Sequence, residues 1–331
     1  MDKTAPEWYD TIEKRGGIDM TELGITCEIM LPMLILLLLG WFLRKVNWLS
    51  GETAGSMNKL VFKLFLPVML FNNMRAMSSA GTPDPKYLIF LFVSVAGIFA
   101  AAFVLVPKLV HDPAKQGVMV QGIFRTNFAI LGIPLMESMF GEAGILVYSL
   151  AVPVVIPLNN VLAVVALSAP MGKTAGIKKI LKDILTNPLI IACAAGAVCL
   201  LLNIRFPVIV EDSLNKIAGI TSPLSLLVLG ASLKWQGIRD NRKELLWTVL
   251  LKQLIIPAVM FTAAILLGFK GAQLGVMIIL FGAPCAVSSY PMASAMGRDG
   301  PLAASQVVLT TVFSMGTLFA LIYIGKLLAL I

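Results

Sequence analysis

The chain has 331 residues, of which 58% are hydrophobic and only 13% charged, and this excludes an ordinary soluble domain. Its formal net charge of +8 would suit a nucleic-acid partner if the basic residues formed one surface patch. They recur instead in short loops between long apolar runs, so the charge reports orientation in a membrane and excludes nucleic acid as a partner.

Residues 1–26 are polar and lean acidic, through Asp2, Glu7, Asp10, Glu13, Asp19 and Glu22. They lack the charged-then-apolar pattern of a cleavable signal peptide and are expected to form an extracytoplasmic tail. Ten apolar runs follow, near 27–43, 56–75, 87–107, 117–140, 143–168, 187–203, 213–233, 245–268, 272–296 and 302–329. Each is long enough to cross ~30 Å of hydrocarbon. None alternates like a barrel strand, so only helices would satisfy the backbone inside lipid. The predicted fold class is an all-α polytopic membrane protein with ten transmembrane helices.

Arg44, Lys45, Lys108, Lys115, Lys173, Lys178, Lys179, Lys182, Lys234, Arg239, Arg242, Lys243 and Arg298 occupy every second loop. The alternate loops hold only Arg75, Lys86, Arg205 and Lys270. The positive-inside rule then places both termini outside the cytoplasm, in a multi-pass protein of the cell membrane. Residues 27–168 are read as a first five-helix unit and 187–331 as a second. A cytoplasmic linker at 169–186, opening Ala169-Pro170-Met171-Gly172-Lys173, joins them.

The second unit repeats the first at an offset of 156–158 residues. Pro32 and Gly40 return as Pro188 and Gly196, Asn58-Lys59-Leu60 as Asn215-Lys216-Ile217, and Gly117-Val118-Met119 as Gly275-Val276-Met277. Helix-punctuating residues that return in order at one offset mark an internal repeat. An odd number of spans per copy turns the second copy upside down, the inverted plan of many secondary transporters.

In each unit the fourth span is interrupted. Span four reads Gly122-Ile123-Phe124-Arg125-Thr126-Asn127-Phe128-Ala129-Ile130-Leu131-Gly132-Ile133-Pro134. Span nine reads Leu280-Phe281-Gly282-Ala283-Pro284-Cys285-Ala286-Val287-Ser288-Ser289-Tyr290-Pro291. An interior proline removes a hydrogen bond and clashes with the preceding turn. One such proline is most simply a harmless kink, whereas two at equivalent positions point to a binding site near the midplane. On a continuous helix Asn127, Leu131 and Pro134 share one face, and the repeat offset carries them to Pro284, Ser288 and Pro291. Asn127 and Ser288, with Ser289 beside it, are therefore candidate substrate ligands, and Pro134, Pro284 and Pro291 would hold the breaks open. Half-helix ends would add N–H groups and a partial positive charge that suit a carboxylate.

None of the 18 acidic residues is clearly at mid-membrane. That weakens proton-relay and sodium-driven readings without excluding a proton or sodium coupling ion held by carbonyls and hydroxyls. Lys63, Arg125 and Lys252 lie about two turns from the cytoplasmic face. Lys63 and Lys252 are expected to snorkel to water, the alternative being a place on an anion path. Arg125 cannot shed its charge, yet about 200° of rotation separates it from Asn127, so on a continuous helix it would be a packing or gating group nearer the cytoplasm. Asn159 and Asn160, deep in span five, are either interhelical glue or part of the site. Cys27, Cys193, Cys199 and Cys285 have no metal-ligand spacing, the only histidine is His111 in a loop, and no phosphate-binding P-loop occurs. The expectation is a protein that is not an enzyme and carries no metal or cofactor.

Several runs resemble the auxin efflux carrier family of bacterial and plant organic-anion transporters. Leu31-Pro32 through Gly40-Trp41-Phe42-Leu43-Arg44 is similar to its first helix, and Asn58-Lys59-Leu60-Val61 with Leu66-Pro67 to its second. Arg125-Thr126-Asn127-Phe128-Ala129-Ile130-Leu131-Gly132-Ile133-Pro134-Leu135, ending in Met139-Phe140-Gly141, is the most specific stretch. Ala283-Pro284, Ser288-Ser289, Ala304-Ser305, Thr310-Thr311 and Ser314 resemble its last two helices, more loosely. The resemblance implies ten helices in two inverted five-helix repeats, with broken helices 4 and 9 crossing. Helices 1, 2, 6 and 7 would be a scaffold, and helices 3–5 and 8–10 a transport domain moving as an elevator. It implies small carboxylates such as malate or malonate as substrates. The family's crossover asparagine falls on Asn127 and its crossover prolines on Pro134 and on Pro284 or Pro291. The long plant cytoplasmic loop is absent, which argues against a plant hormone carrier. The expected partners are the bilayer and a small carboxylate, with a homodimer left open. A sodium-coupled symporter of the bile-acid type and a ligand sensor that does not transport are the competing readings.

Overall fold

The computed structural model describes residues 20–75, 84–169 and 177–331. Most of the acidic tail (1–19) and the centre of the linker (170–176) lie outside the described residues. The described residues contain no strand, only an isolated antiparallel bridge between Thr126 and Cys285. In chain order the helices are α1 (Met20–Lys45), α2 (Gly51–Arg75), α3 (Pro85–Leu109), α4 (Pro113–Phe124), α5 (Phe128–Ser168), α6 (Ile177–Leu185) and α7 (Pro188–Leu201). They continue with α8 (Val208–Ser232), α9 (Trp235–Asp240), α10 (Arg242–Leu266), α11 (Gly271–Gly282), α12 (Ser289–Ala295) and α13 (Gly300–Leu327).

Local chemistry sets many of the starts. Asp84-Pro85, Asp112-Pro113 and Asn187-Pro188 use one device: the acidic or amide side chain accepts a hydrogen bond from the backbone N–H two residues on, at 2.9 Å. The proline then occupies a first-turn position that needs no donor.

Among the described residues seven helices are long and apolar enough to cross a membrane, or eight if α6 and α7, bent by 59°, count as one span. The sequence has ten apolar runs, and the three not counted are the fourth, sixth and ninth. The sixth is α7, only 14 residues long without α6, and the fourth and ninth are cut into pieces, α4 and α11–α12, each shorter than a bilayer. The fifth run is continuous with the end of the fourth inside α5, whose 41 residues would reach about twice the hydrocarbon thickness if straight. The chain turns within α5 at Gly141, where φ is 60° and ψ −148°, a conformation essentially restricted to glycine.

Two helices carry a π turn, Val61–Phe65 in α2 and Leu251–Ile255 in α10. The wider turn leaves backbone carbonyls short of partners, which lipid does not tolerate. Hydroxyls from neighbouring helices fill the gap in both cases. Thr221 Oγ1 of α8 donates to Phe65 O at 3.0 Å, and Thr317 Oγ1 of α13 donates to Gln253 O at 2.8 Å.

Close packing has a matched pattern. A side chain on Gly40 of α1 would run into the Leu227 carbonyl of α8, and one on Gly196 of α7 into the Phe71 carbonyl of α2. Glycine at these positions lets two helix backbones touch, the usual means of helix association in lipid. Both the glycines and the carbonyls they meet are related by the same 156-residue offset. Large apolar side chains such as Leu38, Val104 and Leu266 remain exposed on the outside of the bundle, as a lipid-facing surface requires.

Candidate functional site

The two breaks meet. α4 ends at Phe124, the chain runs extended through Arg125 (φ −74°, ψ 128°), and α5 starts at Phe128. In the second half α11 ends at Gly282, Ala283 is extended (φ −67°, ψ 154°), and α12 starts at Ser289. Helix ends expose unpaired N–H and C=O groups, and here the breaks satisfy each other. Asn127 N–H donates to Pro284 O at 2.8 Å, and Thr126 Oγ1 donates to Ala283 O at 3.3 Å. Cys285 N–H donates to Thr310 Oγ1 of α13 at 3.1 Å.

A cavity of about 40 Å³ lies beside this crossing. At ~10–15 Å³ per water it has room for a few waters or a carboxylate group. One wall is the crossing itself, Arg125 to Ile130 and Ala286 to Ser288. The opposite wall comes from Leu66 and Leu70 of α2 and Thr221 and Ser225 of α8, with Asn159 and Asn160 of α5 between. A more apolar chamber of about 420 Å³ adjoins through Asn160, bounded by Pro153, Pro157 and Cys193.

Arg125 is 3% exposed. Its guanidinium donates through Nη2 to Asn160 Oδ1 at 2.7 Å and through Nη1 to Met292 Sδ at 3.1 Å. Both acceptors are neutral, and thioether sulfur is a weak one. No Asp or Glu among the described residues is buried, so the guanidinium has no buried counter-charge. Asn127 Nδ2 is buried without a partner, and so is Asn159 Oδ1. The Asn127 side chain does not cap α5, so the first-turn residues Phe128, Ala129 and Ile130, which line the cavity, keep their N–H groups available.

The predicted residues divide clearly. Asn127, Ser288, Asn160 and Arg125 are brought to one cavity. Ser289 is not on its wall; its hydroxyl accepts from Cys285 Sγ at 3.3 Å. Pro284 sits at the crossing through its carbonyl, and Pro291 lies buried in the first turn of α12, where its missing N–H is not needed. Pro134 does not make the first break. The chain breaks at Arg125–Asn127, and Pro134 lies farther on, inside α5.

Arg125 also requires a correction. Assigning it away from Asn127 assumed a continuous helix, and the break resets the helical phase so that both line one cavity. Lys63 is exposed and away from the cavity wall. Lys252 does not snorkel, being 1% exposed inside the bundle. Thr126, Thr221 and Ser225 line the cavity without having been singled out in the sequence. The repeat offset could have flagged Thr126 as the neighbour of Asn127; nothing comparable marks the two α8 hydroxyls.

Crossed helix breaks around a buried cation, within a bundle whose outside is apolar, define a membrane transport protein. The chain belongs to the family described as membrane transport protein, whose profile matches residues 25–168 and 168–322, the auxin efflux carrier family that its motifs resemble. It is 25% identical over 307 residues to an uncharacterized transporter of Methanocaldococcus jannaschii, covering 88% of this chain and 96% of that protein. It is 23% identical over 314 residues to a Rhizobium meliloti protein named "Putative malonate transporter", covering 89% and 94% of the two chains. The uncharacterized transporter YfdV of Escherichia coli is 22% identical over 279 residues, 80% of this chain and 86% of its own.

Proposed function

We propose that this transporter is a secondary carrier of a small organic anion, a mono- or dicarboxylate, whose carboxylate occupies the cavity at the crossing. The observation that carries this reading is Arg125, a buried guanidinium held by neutral acceptors in a bundle with no buried carboxylate among the described residues. Such a charge costs several kcal/mol to bury, and an arriving carboxylate would offset that cost. Asn127 Nδ2 and the first-turn N–H groups of α5 would complete its hydrogen bonds. The name of the Rhizobium relative is in keeping with this chemistry.

In this reading the chain crosses the membrane ten times as two inverted five-span units, with both termini outside the cytoplasm. Two observations support the inversion. The 157-residue offset equates Asn127 with Pro284, and these two residues hydrogen-bond to each other, as equivalents on a two-fold axis do. The α1–α8 and α2–α7 glycine contacts also repeat. Those four helices would be the fixed scaffold, and α3–α5 with α10–α13 the part that moves as an elevator. Exchange of radiolabelled mono- and dicarboxylates in proteoliposomes, with and without sodium and proton gradients, tests the proposal. Counterflow of at least one carboxylate is expected; binding without counterflow would make the protein a sensor.

A further inference from the structure

A second polar cavity, of about 350 Å³, lies away from the crossing, where α6, the end of α5 and the end of α12 come together. Lys179, Asp183, Thr186 and Arg298 line it, together with Asn187, which caps the 14-residue α7. Arg298 donates through Nε to Leu167 O at 2.6 Å and has no ion pair among the described residues, so its Nη groups are without a protein partner there. Ser168 lines the cavity, is 3% exposed, and its buried hydroxyl has no hydrogen-bond partner. The positive end of α7 opens at the same place. Two cations and an orphaned hydroxyl, set against the one carboxylate of Asp183, make a net positive space that an anion would fill.

The surroundings indicate the source of that anion. α6 places Ile180, Leu181, Ile184 and Leu185 on one face and Lys178, Lys179 and Lys182 elsewhere. Leu181 and Leu185 are 50% and 68% exposed, and the helix departs from α7 by 59°. An apolar stripe left open beside lysines suits a helix lying in the headgroup layer. We propose that this cavity holds the phosphodiester of an anionic phospholipid. Arg298 and Lys179 meet the phosphate oxygens, the Ser168 hydroxyl donates to one of them, and Asp183 accepts from a headgroup hydroxyl. Ala295 and Met296 line the same cavity, so the lipid would sit against the end of the α12 half-span.

The full chain, exchanged in detergent against phosphatidylglycerol, phosphatidylcholine or inorganic phosphate, would be examined by native mass spectrometry. One phosphatidylglycerol per chain should survive conditions that strip phosphatidylcholine. The double variant K179Q/R298Q should weaken retention roughly 25-fold, about fivefold for each charge removed. K179R/R298K should keep the lipid while S168A weakens it, and this pair decides the matter if the charge-removing variant does not fold. Equal retention by parent and K179Q/R298Q, or by parent and S168A, overturns the proposal. So does full displacement by millimolar inorganic phosphate, which would make the cavity a site for a free anion. Lipid retention is read without transport, so its failure is separable from failure of the carrier reading.

Discussion

Arg125→Met separates binding from folding. Methionine keeps much of the side-chain length and removes the charge. On the stability side, Asn160 Oδ1 loses its donor at 2.7 Å, which costs about 1–3 kcal/mol. Against this, the substitution removes a buried cation without a buried counter-charge, relieving a desolvation penalty of several kcal/mol. Asn160 itself stays anchored, because its Nδ2 donates to Ile156 O at 3.0 Å. The sum predicts unfolding in detergent at the parent temperature or above. On the binding side, losing one partner of a desolvated charge pair costs ~2–5 kcal/mol. At about 3 kcal/mol, the half-saturation concentration in liposome exchange should rise roughly 150-fold. A folded Arg125→Met protein that exchanged carboxylates at parental concentrations would refute the placement of the anion beside this guanidinium.

Other outcomes follow from the same geometry. Asn127→Ala removes a buried side chain whose Nδ2 has no partner, so it should leave thermal stability almost unchanged while weakening carboxylate exchange about tenfold or more; unchanged exchange kinetics would remove Asn127 from the site. Gly40→Val and Gly196→Val each drive a side chain into a backbone carbonyl, and overpacking of about 1–3 kcal/mol or more should appear as loss of monodisperse protein in gel filtration. Lys252→Met relieves a buried ammonium and should raise the unfolding temperature measured by thermal shift. With no acidic side chain buried among the described residues, exchange should persist when sodium is replaced by a large organic cation; a strict sodium requirement in the liposome assay would contradict this.

The apolar runs were legible because hydrocarbon imposes length and polarity at once, and the helix ends at Ser168 and Ser232 fall within a residue of where the runs end. The second break was legible too, since Pro284 sits within it. The first was misplaced onto Pro134 for a physical reason. The helix runs on through Pro134, an interior proline that does not interrupt it, whereas the break at Arg125–Asn127 is held open by Cys285 and Pro284, which are distant in sequence. Tertiary pairing of this kind leaves no local signature. The same break invalidated the rotation that set Arg125 apart from Asn127. Lys252 misled for a related reason: depth along a helix can be counted from sequence, but the direction a side chain faces depends on neighbouring helices. The π turns were likewise silent, since their support comes from Thr221 and Thr317 on other helices.

The hydrogen bond from Asn127 to Pro284 ties one interrupted helix to the other at the point where each is weakest. A clamp with two independent jaws would grip its ligand differently when open to each side. Here the jaws are riveted together, and the walls they contribute cannot part without breaking the rivet. If the crossing moves as one body, as the proposed carrier mechanism requires, a bound anion would keep the same crossing contacts throughout. The crossing's share of the grip would then favour neither direction, and any bias would have to come from the α2 and α8 wall or from a coupled ion.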